Sequence, residues 1–243
     1  MVFLMAAGAG YTVYSLGDQA LVIDYGNRID EQVNRRVLQI FNQFRLEPLP
    51  GIIEVVPAYS SLTFYYDVAA FRGTDTAFEQ CRAIVEPRIA TLQESAEENG
   101  RLLRVPACYD PGFGTDLKEI AALKQISMEE IVREHCTVTY RVYMLGFLPG
   151  FAYMGTVNER LALPRKDSPA RVKAGSIGIA GRQTGIYPFD SPGGWQIIGR
   201  TPLKLFDSSR EEPAYFRAGD RVQFFPVSKE EFRALSIKQD ELS

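Results

Sequence analysis

Residues suited to chemistry crowd into one stretch of the chain. Tyr140–Phe206 holds ten of the twenty glycines and six of the fourteen prolines. It also carries nine Lys or Arg residues (Arg141, Arg160, Arg165, Lys166, Arg171, Lys173, Arg182, Arg200, Lys204) against three acids (Glu159, Asp167, Asp190). The stretch is thus +6, while the whole chain is −3 and the remainder is −9. Cations beside backbone-permissive glycines suit an anionic ligand, a carboxylate or a phosphate, through fork-like Arg contacts and exposed amides. The alternative is a set of ordinary turns with solvated cations. Two turns stand out. Gly146-Phe147-Leu148-Pro149-Gly150-Phe151 fixes a tight path between two rings, as an apolar wall or as a strand-ending turn capped by core aromatics. Ser191-Pro192-Gly193-Gly194-Trp195 sets the only Trp beside a backbone that a ligand can approach, or plugs a core with it. His135, the only histidine, is the natural general acid or base near neutral pH, or else a cap on a helix C-terminus.

What is missing narrows the chemistry further. One histidine cannot make a multi-histidine metal site, and no metal site is expected. Cys81, Cys108 and Cys136 are scattered without CxxC spacing, so neither a disulfide framework nor a zinc cage is signalled. GxSxG, GxxxxGK[ST] and GxGxxG are all missing, which leaves no hydrolase elbow, P-loop or dinucleotide loop. The net charge of −3 gives no global attraction to nucleic acid. The capped pair of helices over 115–135 mimics a helix-turn-helix but carries more acids than bases. Met1–Gly10 is apolar yet has no basic n-region, and no run approaches the length of a membrane helix. A cytoplasmic protein without membrane or nucleic-acid partners is expected.

The elements that must position these residues follow from periodicity. At 243 residues, 46% hydrophobic and 23% charged, the chain can bury one large core or two modest ones. Strands are predicted at 11–15, 20–24, 51–56, 61–66 and 101–106. Ile29, Val33, Val37, Ile40, Phe41 and Phe44 fall at helical spacing, and a second helix fits 75–93, with a kink or early stop at Pro87. The acidic run 94–100 reads as a loop. From Asp110 the pattern changes to a turn-rich linker and two short helices. Asp116 with Glu119, and Ser127 with Glu130, have capping-box spacing. After Cys136, short strands alternate with glycine and proline until a last helix near 230–235. The glycines of 175–181 read as a strand with a close-packed face. The fold class is α+β: a small α/β N-terminal domain over 1–106, followed by a β-barrel or sandwich over 107–243.

The motifs of Tyr140–Gly155, Leu163-Pro164-Arg165, Ala174–Pro188, Ser191–Pro202 and Leu205-Phe206-Asp207, closed by Ala218–Phe224, resemble the carboxyltransferase subunit-1 family. That family, formerly labelled allophanate hydrolase subunit 1, includes 5-oxoprolinase subunits of the PxpB type, kinase inhibitors of the KipI type and a domain of urea carboxylase. The resemblance is strong over 110–227 and implies that the barrel is cyclophilin-like. It implies a subunit of an ATP-dependent 5-oxoprolinase that opens 5-oxo-L-proline to L-glutamate and is inactive alone. The implied partners are PxpC-like (subunit-2) and PxpA-like proteins, with ATP as co-substrate of the complex. The alternative it carries is inhibition of a sensor histidine kinase. By resemblance His135, Arg165, Arg171, Gln183, Tyr187 and Arg200 line the site for a small carboxylate-bearing amide. Gly146, Phe147, Pro149 and Gly150 shape it from one turn, and Pro192, Gly193, Gly194 and Trp195 from the other.

Overall fold

A five-stranded sheet and two helices make up the first of two units, residues 1–98, with 99–243 forming the second. The computed structural model describes residues 4–5, 10–92 and 100–240, so most of the acidic run 94–100 lies outside the described residues. In the first unit the strands are β1 (Leu4–Met5), β2 (Thr12–Ser15), β3 (Ala20–Asp24), β4 (Ile52–Pro57) and β5 (Ser61–Tyr66), in antiparallel order β1-β2-β3-β5-β4. Strand alternation sends Val13, Leu21, Ile23, Leu62, Phe64 and Tyr66 to one core. Helices α1 (Glu31–Leu46) and α2 (Ala77–Thr91) cover it with Val37, Ile40, Phe44, Cys81, Val85 and Ile89. Asp30 caps α1 through its side chain, and Thr76 with Glu79 forms a capping box on α2. The early stop expected at Pro87 does not occur. The helix continues to Thr91, because the apolar face through Val85 and Ile89 outweighs one lost backbone hydrogen bond.

The second unit holds β6 (Leu102–Ala107), α3 (Leu117–Lys124), α4 (Met128–Thr137), β7 (Thr139–Leu145), β8 (Ala152–Gly155), β9 (Ala170–Val172), β10 (Ser176–Ala180), β11 (Gln183–Ile186), β12 (Ser191–Gly193), β13 (Gln196–Arg200), β14 (Arg221–Pro226) and α5 (Lys229–Asp240). Seven strands form one sheet in the order β13-β10-β11-β8-β7-β14-β6, antiparallel except for the parallel pair β14–β6. Cys108, just beyond β6, exchanges both backbone hydrogen bonds with Arg200 on β13 at 2.8 and 2.9 Å, so the sheet curls until its two edges meet at one point. The domain boundary moves accordingly. The expected division at 106/107 gave the 101–106 strand to the first unit, yet β6 pairs with β14 over its whole length and belongs to the second. A long-range parallel partner leaves no local trace in sequence. Strands β9 and β12 form a separate two-stranded ribbon, Arg171 opposite Pro192.

The curled sheet has two differently furnished faces. Ala152, Met154, Ile177, Ile179, Ile186 and Ile198 point into the main core, with Ile120 and Ile131 of the two helices. Their neighbours Phe151, Ala180, Tyr187 and Ile197 point the other way and join Val172 and Trp195 in a second cluster. Ser127 and Glu130 form the expected capping box at α4. Asp116 does not cap α3. Its side chain turns instead to β13, where it accepts the Ile197 N–H at 2.6 Å.

Candidate functional site

The second face carries an aromatic wall. Phe151 stands nearly perpendicular to Tyr187 and to Trp195, with ring centroids 5.1 and 5.5 Å away, and Tyr153 lies 4.7 Å from Phe151 and 5.8 Å from Trp195. Such edge-to-face pairs add roughly 0.5–1.5 kcal/mol each beyond burial. Glycines make the seat. A Cβ at Gly178 would come within 2.9 Å of the Trp195 Cβ, and one at Gly185 within 3.0 Å of its indole ring. The Tyr187 hydroxyl meets the Trp195 backbone, beneath Gly193. Phe147, 62% exposed, closes the wall from the Gly146–Gly150 turn, 5.7 Å from Phe151 and 6.4 Å from Tyr187. It holds a left-handed backbone, φ 67°, which a bulky residue adopts only at a cost. Pro149 is exposed in the same turn, and Gly150 is buried beside Leu205 and Phe206.

Arg165 is the cation of this wall. Burial pushes the Tyr153 and Tyr187 phenols above the ordinary tyrosine range, and the Arg165 charge pulls both in the opposite direction. The exposed guanidinium therefore lies within electrostatic reach of both rings. Its segment is fastened on either side: Leu163 bridges Gly181, Pro164 accepts from Gln196 Nε2 at 3.2 Å, and Lys166 N–H donates to Gly194 at 2.7 Å. Phe151, Tyr187 and Trp195 are buried, so Phe147 and half-buried Tyr153 form the solvent-facing edge of the wall, and a cation near that edge suits a small anion with an apolar body.

The other expected residues are distributed around this centre. Gln183 opens β11, on the side of the strand opposite Thr184. Arg171 projects from the ribbon, 80% exposed, 3.9 Å from the Asp190 carboxylate, and Pro192 opposite it is exposed too. Lys173 at 2.7 Å and the Ala174 N–H hold that carboxylate below its usual range. Arg200 is engaged elsewhere: its Nε donates to the Ala174 carbonyl at 2.6 Å, and its guanidinium lies 5.9 Å from the Phe232 ring.

His135 lies in the main core, fully buried, with Tyr140 and Phe224 rings 5.2 and 4.6 Å away. Thr184 Oγ1 donates its single proton to the Gly178 carbonyl at 3.1 Å, so toward His135 Nε2, at 3.0 Å, it accepts. The imidazole proton is thereby assigned to Nε2, and Nδ1 accepts from the Tyr109 hydroxyl at 2.8 Å. Cys136 Sγ completes the chain by donating to the same hydroxyl at 3.4 Å. Desolvation pushes the imidazole down to about 3 and the Cys136 thiol up. The ring is therefore neutral near pH 7, and neither this histidine nor Cys136 is poised for proton transfer or attack there. A cavity of about 540 Å³ lies beside α4, lined by Tyr109, Leu117, Met128, Val132 and Cys136 among others, and none of the expected site residues borders it.

Sequence reasoning passed over Tyr153 and an ion pair between Lys166 Nζ and Asp116 Oδ2, 2.6 Å apart. Alternation along β8 places Tyr153 on the face of Phe151, a signal that was available. The ion pair joins positions far apart in the chain and had none.

The carboxyltransferase-domain model for subdomains C and D matches residues 11–216. The chain belongs to this family. Among relatives of the carboxyltransferase domain, it is 44% identical over 230 residues to the 5-oxoprolinase B subunit of Bacillus subtilis (strain 168), covering 92% of this chain and 96% of that protein. The 5-oxoprolinase B subunit of Escherichia coli O157:H7 is 36% identical over 214 residues, covering 88% and 94%. Among solved structures, that of TTHA0988 superposes with a TM-score of 0.75 at 35% identity, covering 86% of this chain, which spans only 40% of that longer one. Among the described residues, no helix is long and apolar enough to cross a membrane.

Proposed function

We propose that this chain is a subunit of an ATP-dependent 5-oxoprolinase, and that its second unit is a cyclophilin-like barrel presenting the aromatic face to a small carboxylate-bearing lactam. Arg165 takes the carboxylate in a charge-assisted contact. Phe147 and half-buried Tyr153 flank the flat ring, buried Tyr187 and Trp195 back them from the core, and the turns at 146–150 and 192–194 hold those rings in place. Arg171 and Gln183 border the site, and Arg200 serves by fixing the ribbon side of it through Ala174. The lactam opens to L-glutamate with ATP supplying the driving force. ATP binding and carbonyl activation fall to PxpC-like and PxpA-like partners, since this chain carries no nucleotide loop of the usual pattern. His135, neutral and enclosed, takes no proton-transfer part in this reading.

One observation carries the proposal: Arg165, an exposed cation on a fastened segment beside the Gly194 turn, lies within electrostatic reach of Tyr153 and Tyr187 in a chain similar along nearly its full length to proteins named as the B subunit of 5-oxoprolinase. The test is glutamate formation from 5-oxo-L-proline and ATP, with this chain alone, with its partner subunits, and with the Arg165→Gln variant in the mixture. Glutamate only from the full mixture, and a raised KM for 5-oxoproline with Arg165→Gln, is the expected result. No glutamate from an assembled complex overturns the reading.

A further inference from the structure

Asp116 behaves unlike a helix-capping aspartate. It occupies the N-cap position of α3 yet makes no side-chain cap bond. Its Oδ2 instead accepts the Ile197 N–H at 2.6 Å and contacts the Lys166 ammonium at 2.6 Å, both side chains being largely buried, 11% and 23% exposed. The Asp116 backbone N–H donates to the Ile197 carbonyl at 3.0 Å, which doubles the attachment to β13. Lys166 in turn donates its own N–H to Gly194. A closed circuit results: Asp116 to Ile197 on β13, back through Gln196 and Trp195 to Gly194, to Lys166, and back to Asp116. Arg165 is the residue next to Lys166, and Trp195 lies inside the circuit.

We infer that the Asp116–Lys166 ion pair is a positioning device that locks the Arg165 segment and the Gly194–Trp195 turn into one arrangement, with Lys166 a positioning residue for anion recognition by Arg165. The inference rests on reading the Arg165 face as the carboxylate site. A charge pair withdrawn from water is stiffer than an exposed one, and breaking it leaves the remaining charge without a partner. A site for a small anion needs its cation fixed closely, because orientation sets how much of the contact is realised. The Lys166 ammonium is held by Asp116, so Lys166 acts through its neighbours.

The experiment uses the full chain, with Lys166→Met, Asp116→Asn, Lys166→Arg and, as control of the reading itself, Arg165→Gln. Asp116→Asn keeps an acceptor for the Ile197 N–H and removes the charge, so it serves where Lys166→Met folds poorly. Trp195 is the only tryptophan, and its acrylamide quenching reports the circuit without any ligand. Quenching should rise about twofold in Lys166→Met and Asp116→Asn as the turn loosens, and return in Lys166→Arg. In the complex with its partner subunits, the two disrupting variants should raise KM for 5-oxo-L-proline about tenfold with kcat within about twofold, and Lys166→Arg should restore it. Unchanged quenching overturns the inference whatever the substrate proves to be. An unchanged KM in Lys166→Met, beside a raised KM in Arg165→Gln, also overturns it while sparing the carboxylate site. A loss of kcat that Lys166→Arg fails to rescue assigns the pair a merely structural role. An unchanged KM in Arg165→Gln sinks the reading of the site, and the quenching result still judges the lock.

Discussion

Lowering the pH from about 7.5 to about 5 should remove about 2 kcal/mol of folding stability through His135 alone. In the unfolded chain an imidazole titrates near its ordinary 6.5, whereas the buried ring is pushed down to about 3. Between those values the unfolded state holds a proton that the folded state refuses, so stability rises with pH across the window and is complete above it. At pH 5 the window has been crossed by roughly 1.5 units, at about 1.36 kcal/mol each. The refusal has a structural cause. Nδ1 already accepts from Tyr109, and Nε2 already donates to Thr184, whose own proton is committed to Gly178, so a second ring proton would face another donor inside an apolar shell. Urea unfolding followed by Trp195 emission measures the effect at both pH values, in the parent and in His135→Gln, which keeps a donor for Thr184 but cannot titrate. Carboxylates contribute equally to both proteins, so the difference between them isolates the imidazole. A parent and a variant with the same pH dependence would refute the neutral, enclosed histidine, and with it the case for leaving His135 out of the chemistry.

Other perturbations probe the elements around the site. Gly185→Ala would drive a Cβ to 2.9 Å from the Ala152 carbonyl and 3.0 Å from the indole, so it should cost about 1–3 kcal/mol in urea unfolding and shift Trp195 emission. Ser127→Ala removes the α4 capping box, an expected loss of about 1 kcal/mol in the same assay. Asp220→Ala removes two bonds of 3.0 and 2.6 Å to Arg101, a part-exposed side chain that keeps the Tyr215 carbonyl, and frees the Arg217 N–H; a loss of about 1–2 kcal/mol is expected. Phe147→Ala removes an exposed ring and should leave the unfolding midpoint nearly unchanged while raising KM for the lactam several-fold.

What could be seen from sequence was what local rules encode. Strands β2 to β5 of the first unit, the face of α1 and the capping box at Ser127 follow from alternation, helical period and side-chain reach, each within a few residues, whereas β1 was not foreseen. The close-packed strand at 176–180 was visible because glycine in a strand signals an approaching neighbour, here Trp195. What stayed hidden was long-range. The pairing of β6 with β14 joins residues more than a hundred positions apart. Asp116 has the capping-box spacing, yet tertiary contact with β13 and Lys166 claims its carboxylate. The environment of His135 was equally invisible, because residue type says a ring can titrate and only burial says that it does not.

The same alternation explains why one short strand serves two purposes. Along β11 Thr184 points into the main core and completes the His135 hydrogen-bond chain, while Gly185 beside it opens the space that Trp195 and Phe151 occupy on the opposite face. Along β8 Met154 fills the core, and Tyr153 with Phe151 forms the wall. A one-residue slip of either strand would exchange the faces, sending Thr184 into the aromatic cluster and a glycine against the histidine. The buried polar chain through Tyr109, His135, Thr184 and Gly178 is satisfied in only one register, so any slip strands at least one of its members. Its physical role is thus to pin register. The aromatic face needs that register, because Trp195 has a seat only where Gly178 and Gly185 both lie beneath it. On the proposed reading, a histidine that transfers no proton still governs the geometry of the aromatic face from the other side of the sheet.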